Sequence, residues 1–398
     1  MAAGLEQLCA SREIVVTCGS GGVGKTTTAA AVGAMAASQL GGKVLVLTVD
    51  PARRLATALG LERFGNVETQ VPDELFRAAG VEARGELWAA MLDTKQSWDD
   101  LVRAHAPDPE TRDAILANPL YRNITSKFAQ SHDYIAMERL HEIHRSGRYD
   151  LIVVDTPPTR NALDFLEAPD RMADFFSSRL LRWLITPYRS RLVNAASKPF
   201  YTIADRILGS QFLEDIAEFF VLFQTMYNGF VERAEAVSRT ISDRRTTFLV
   251  VSTLEDAPVR EAEFFMEALV ERHLPLGALV LNKVLPGWFA DEGAAEVATH
   301  LVHEAPAVAA ALARADGGPG SAPGGGSEPA SLLADTAQVA RVLREIGQSF
   351  DDYRIVATRE RDMAAALARH TELVVSAPHL DHDVCDLAGL VALGRSLW

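Results

Sequence analysis

The chain has 398 residues, with 39 Lys and Arg against 53 Asp and Glu, a formal charge of −14, and 48% hydrophobic residues. This is a globular composition, too apolar for a disordered tail and too acidic for a surface that lies on phosphate backbones, so nucleic acid is not expected as a partner. Cys9, Cys18 and Cys385 are too scattered for a disulfide framework or a CxxC pair, and no apolar run approaches the roughly 18 residues of a membrane span, so a cytoplasmic protein with no intrinsic span is expected.

The first apolar run, Ile14 to Thr17, leads into Gly19-Ser20-Gly21-Gly22-Val23-Gly24-Lys25-Thr26, which satisfies GxxxxGK[ST]. An Ala-rich helical stretch, Thr27 to Leu40, follows and is stopped by Gly41-Gly42. Strand, glycine loop and helix in this order make a phosphate loop. Glycines let successive backbone N–H groups face an anion, and the helix N-terminus adds partial positive charge. Residues Gly19 to Thr27 are the expected nucleotide contacts, with Lys25 reaching the β and γ phosphates and the Thr26 hydroxyl ligating Mg²⁺.

Further unalternated apolar runs follow at Val44 to Val49, Leu151 to Val154, Phe248 to Val251 and Leu279 to Leu281, with a weaker one at Leu87 to Leu92 and a last one at Leu373 to Ser376. Strands buried on both faces read this way, and their alternation with helical patterns predicts an α/β fold with a mainly parallel, doubly wound sheet. Two helical blocks interrupt it, about 94–147 and 170–243, broken by Pro107, Pro109 and Pro119 and by Pro187 and Pro199. The stretch 316–330 is Gly, Pro and Ser rich and reads as a disordered surface loop. Since the chemistry-bearing residues must meet at one nucleotide, residues 1–398 are expected to form a single P-loop domain with helical insertions.

Two carboxylates close apolar runs. Asp155, after Leu151 to Val154, is expected to hold Mg²⁺, and Asp50, after Val44 to Val49, to orient the attacking water. A strand-end carboxylate also serves as a turn or cap residue; the phosphate loop favours the catalytic use.

Gly21-Gly22 in the loop, Asp50-Pro51-Ala52, and Asp155-Thr156-Pro157-Pro158-Thr159-Arg160-Asn161-Ala162-Leu163 together resemble the arsenical pump-driving ATPase (ArsA) family, which includes the ATPase that targets tail-anchored membrane proteins. The resemblance runs from Val15 to about Leu390 and is strongest to actinobacterial anion-transporter-type subunits. It implies a P-loop ATPase that uses ATP and Mg²⁺ and closes as a dimer around nucleotide, with Asp50 in switch I and 155–163 in switch II. It further implies that Asn282 reads adenine, that Pro378 flanks it, and that a protein client or membrane component is a partner.

The sequence also departs from that family. The loop's second lysine, which reaches across the dimer, is here Ser20; Arg160-Asn161 replaces a Gly-His; and neither a zinc-clasp CxxC nor a cysteine set for arsenite is present. Ser20 predicts pairing with a homologous subunit that carries the lysine, or else a regulatory subunit that binds ATP and hydrolyses it poorly; a partitioning-type ATPase is a third reading. An aromatic face at Phe212, Ile216, Phe219, Phe220, Phe223, Tyr227 and Phe230 reads first as packing within the helical block, second as a groove for a client helix. His141 and His144 are three apart rather than four, so metal binding there is not expected, and the C-terminal Leu387 to Trp398 reads as core.

Overall fold

Runs of Val, Ile and Leu become strands with no polar alternation where helices cover both faces of a sheet. The computed structural model, which describes residues 4–49, 54–61, 65–127, 129–157, 167–168, 170–171, 174, 219–223, 225–316 and 336–398, shows one such sheet. Its strands are β1 (Ile14–Cys18), β2 (Gly42–Thr48), β3 (Thr69–Gln70), β4 (Gly85–Met91), β5 (Leu151–Asp155), β6 (Thr246–Ser252), β7 (Leu276–Val284) and β8 (Val374–Pro378), in the spatial order β3-β4-β2-β5-β1-β6-β7-β8. Every residue of β1, β5 and β6 is buried. From β4 through β2, β5, β1 and β6 to β7 the pairing is parallel, and β3 is antiparallel to β4.

The helices are α1 (Leu5–Ala10), α2 (Lys25–Gln39), α3 (Arg54–Ala58), α4 (Asp73–Ala78), α5 (Thr94–His105), α6 (Pro109–Ala117), α7 (Pro119–Lys127), α8 (Ala129–Arg145), α9 (Tyr227–Ser242), α10 (Asp256–Glu271), α11 (Glu292–His303), α12 (Ala305–Asp316), α13 (Thr336–Leu367) and α14 (Leu387–Leu397). The fold is α/β and mostly parallel. Chain order along the sheet reverses around β1, where open α/β sheets bind ligands at the carboxyl ends of their strands. Those ends are level: Thr17 of β1 and Thr48 of β2 are both register partners of Asp155.

The Ala-rich α2 is buried almost all round, between the sheet and α14. Gly394 of α14 lies so close to Met35 that a Cβ there would collide with its side chain, and Leu387, Leu390, Val391, Leu393 and Leu397 are buried beside it. The C-terminal segment is therefore core, as its composition suggests. Among the described residues no helix is long and apolar enough to cross a membrane.

Between β4 and β5 the chain is helical. Asp93 and Asp108 cap α5 and α6 by accepting from the backbone N–H groups of Gln96 (2.9 Å) and Thr111 (2.8 Å). Pro109 and Pro119 stand at the first positions of α6 and α7, where a missing N–H costs nothing, so these prolines start helices. Of the aromatic face, Phe219, Phe220, Phe223 and Phe230 are buried, and Phe223 and Phe230 pack with Trp98 of α5. For these four, internal packing is the outcome. Phe212 and Ile216 lie outside the described residues, as does most of the expected block 170–243.

Where the sequence suggests one composite domain, the described residues fall into two compact units, one drawn from 1–282, 370–377 and 381–398, the other from 283–369 and 378–380. The second is a third helical block that the sequence reading passes over. It holds α11, α12 and the 32-residue α13, with a small core of Ala305, Ala309 and Ala340. It is built by packing α11 and α12 against the long α13. Beyond Asp316, the Gly, Pro and Ser rich stretch up to 330 lies outside the described residues.

Candidate functional site

The loop between β1 and α2 turns back on itself through left-handed glycines. Gly24 caps α2 at φ 96°, ψ 23°, and a Cβ at this position would run into the amide nitrogen of Asn282, so glycine is required twice over. Gly21 and Gly22 are exposed at the tip, and Val23 anchors the loop in the core. Asn282, at the end of β7 and 7% exposed, donates from Nδ2 to the Val23 carbonyl at 2.8 Å. The residue expected to read adenine thus also holds the phosphate loop.

Lys25 opens α2 and is buried; its ammonium donates to the Ser20 carbonyl at 2.8 Å, spanning the loop from end to end. The Ser20 hydroxyl is buried and has no hydrogen-bond partner among the described residues. A buried, unmatched hydroxyl is costly, and this one sits in a loop whose shape suits an anion.

One turn into the site, Thr26 Oγ1 donates to Asp155 Oδ2 at 2.7 Å. Thr48 Oγ1, from β2, donates to the same oxygen at 2.9 Å. Asp155 is fully buried. Two neighbouring threonines act differently: Thr17 donates to the Val154 carbonyl (3.0 Å) and Thr156 to the Thr17 carbonyl (2.8 Å), tying β1 to β5. The Thr26 hydroxyl and the Asp155 carboxylate are hard oxygen donors, the set a small divalent cation takes. Thr27 is half-buried in the first turn of α2.

Asp50 lies outside the described residues, as do 51–53 and 158–166. The chain that leads to Asp50 is held one residue beyond β2, since the Val49 N–H donates to the Asp155 carbonyl at 3.1 Å. Pro378 ends β8, is exposed, and falls in the second unit. Sequence reasoning missed Thr48. The available signal was a hydroxyl at the end of an otherwise apolar strand, two residues before Asp50.

Other candidates dissolve in the structure. His141 Nδ1 pairs with Thr240 Oγ1 (3.0 Å) and His144 Nε2 with Glu13 (2.7 Å), so the two rings engage different partners. Burial pushes the Cys9 thiol up to about 12, and burial also raises Cys18 despite the neighbouring Lys25 ammonium, so neither is a thiolate at neutral pH. A cleft of about 420 Å³ between α5, α8 and α9 contains two ion pairs, Glu138 with Arg233 (2.7 Å) and Glu142 with Arg139 (2.7 Å).

The profile of the anion-transporting ATPase family matches residues 12–298, which include the phosphate loop, Asp155 and Asn282. An uncharacterized protein of Streptomyces coelicolor is 30% identical over 277 residues, 69% of this chain and 63% of that protein, so the chain spans somewhat less than two thirds of its length. A putative arsenical pump-driving ATPase of Aquifex aeolicus is 25% identical over 284 residues, 67% of this chain and 79% of its own. ATPase GET3 of Malassezia globosa is 23% identical over 282 residues, 67% and 71% of the two chains. With the phosphate loop, the strand-end carboxylate and the parallel sheet in place, this chain belongs to the ArsA-type anion-transporting ATPase family.

Proposed function

We propose that the chain is a Mg²⁺-dependent ATPase that cleaves ATP to ADP and phosphate by in-line attack of water, and that it works in the cytoplasm as a nucleotide-switched dimer. The observation that carries this reading is Thr26 and Asp155 joined at 2.7 Å directly behind a complete phosphate loop. Bound Mg²⁺ supplies charge neutralisation at the β and γ phosphates, and Thr26 and Asp155 are the residues that would hold it.

The loop N–H groups and the start of α2 bind the phosphates. Lys25 releases the Ser20 carbonyl and turns its ammonium to the γ-phosphate, and the Ser20 hydroxyl gains the acceptor it lacks. Asn282 keeps the Val23 carbonyl in place and reads the adenine edge through its amide. Asp50 orients the water and accepts its proton. Phosphate release measured with and without Mg²⁺ tests this: hydrolysis that needs neither Mg²⁺ nor Lys25 would sink it.

Ser20 favours a particular dimer. A neutral hydroxyl cannot supply the transition-state charge that a second lysine brings, a contribution on the order of 10³-fold for comparable cationic fingers. The chain therefore pairs with a homologous subunit that carries the lysine, and that complex engages a protein client or membrane component. The same residue supports a second reading, a regulatory subunit that closes on ATP and hydrolyses it slowly. Single-turnover phosphate release from the chain alone and mixed with a lysine-bearing relative separates the two. Acceleration on mixing supports the heteromer, tight binding without release in either case supports the regulator, and equal, fast rates dispose of both.

A further inference from the structure

We infer that Thr48 is a positioning residue for the cation, because its hydroxyl fixes the Asp155 carboxylate from β2. The inference rests on the reading of Thr26 and Asp155 as the Mg²⁺-holding pair and adds to it a residue outside the phosphate-loop motif.

From Val44 to Thr48 strand β2 is buried, and Thr48 is fully so. Valine has the same shape, and the four residues before Thr48 are all apolar, so packing alone gives no reason for a hydroxyl. A buried hydroxyl must find an acceptor or destabilise the fold. Thr17 and Thr156 find backbone carbonyls, which is the ordinary structural solution. Thr48 donates instead to a carboxylate oxygen at 2.9 Å.

That oxygen already accepts from Thr26 at 2.7 Å. The two donors arrive from different elements, the first turn of α2 and the end of β2, and the parallel register sets Thr48 opposite Asp155. A carboxylate held from two directions cannot swing about its side-chain torsions. The donors also differ in duty. Thr26 must offer its oxygen to the cation as well, whereas Thr48 reaches the carboxylate from the neighbouring strand β2. Thr48 also lies two residues before Asp50, and the Val49 N–H bonds to the Asp155 carbonyl. The strand that delivers the water-orienting carboxylate is thereby fastened, by side chain and by backbone, to the residue that holds the cation.

The test is a titration of Mg²⁺ against binding of a fluorescent N-methylanthraniloyl ATP, with a parallel nucleotide titration in EDTA, for the full chain and for Thr48→Val and Thr48→Ser. Loss of a partner that orients a metal ligand typically weakens the metal about 10- to 100-fold. Thr48→Val is expected to need about 10-fold more Mg²⁺ for half-maximal binding, to bind nucleotide in EDTA within about twofold of the parent, and to be rescued by Thr48→Ser. Unchanged Mg²⁺ dependence in Thr48→Val overturns the inference, as does an equal loss in EDTA, which would mark a merely structural role. If Thr48→Val does not fold, Thr48→Ala is read by the same criteria. Nucleotide binding by the parent that ignores Mg²⁺ is a different failure, that of the proposed function.

Discussion

The carboxyl edge of the sheet and the helical unit at 283–369 solve opposite problems. At the sheet edge, polar side chains are held by partners distant in sequence: Thr26 and Thr48 by Asp155, Asn282 by Val23. In the helical unit α11 and α12 pack against α13 around a small alanine core, and large apolar side chains stand exposed, Ile355 at 62% and Val297 at 60%. Buried polar networks leave little freedom, since every unmatched group costs energy. Local helical packing tolerates much more. The difference teaches where substitutions should be felt through chemistry and where through stability.

The largest expected effect is at the edge. Lys25→Ala removes the only side-chain cation bonded within the loop among the described residues, and with it charge neutralisation at the γ-phosphate. Phosphate release should fall by about 10³-fold or more while the chain stays folded, measured by single-turnover hydrolysis beside circular dichroism. A variant that kept its rate would break the comparison at its strongest point.

A second, smaller effect sharpens it. If Asn282 only read adenine, Asn282→Ala would leave binding of inorganic tripolyphosphate unchanged. Its bond to the Val23 carbonyl, 2.8 Å long and buried, predicts otherwise. Losing it leaves that carbonyl unmatched beside Gly24, at a cost of about 1–2 kcal/mol, so tripolyphosphate affinity should fall roughly 10-fold by calorimetry.

Much of the edge is legible in the sequence because its signals are local. The loop spacing identifies Lys25 and Thr26, and the end of an apolar run identifies Asp155. What is not legible depends on register. Thr48 reads as a β-branched strand filler until parallel pairing sets it opposite Asp155, and Asn282 gives no hint of a carbonyl 259 residues away. The two-residue β3 has no apolar run to announce it, and β2 starts at Gly42, before the Val44 that hydrophobicity marks. The helical unit escaped for another reason. Its two halves are separated in sequence by 316–330, and α13 carries exposed apolar residues that blur its amphipathic face.

Within the helical unit one position should behave like the edge. Gly347 of α13 faces the Ala298 carbonyl, which a Cβ would meet at 2.7 Å, and Val302 at 2.8 Å. Alanine is the better helix former by about 1 kcal/mol, so a tolerant unit would gain from Gly347→Ala. Overpacking against backbone costs about 1–3 kcal/mol, and the net expectation is destabilisation, read as faster hydrogen exchange in α13 amides.

The smallest effect is expected at Ile355, on the same helix and mostly in water. Ile355→Ser exchanges residues of similar helix propensity and removes no packed contact, so the free energy of opening of α13 should stay within about 0.5 kcal/mol of the parent. Exchange in β1, β2 and β5 serves as the internal reference and should not change. A loss comparable to that of Gly347→Ala would mean that the exposed face of α13 is covered in the folded protein, and the contrast between a demanding edge and a tolerant helical unit would then have to be redrawn around that face.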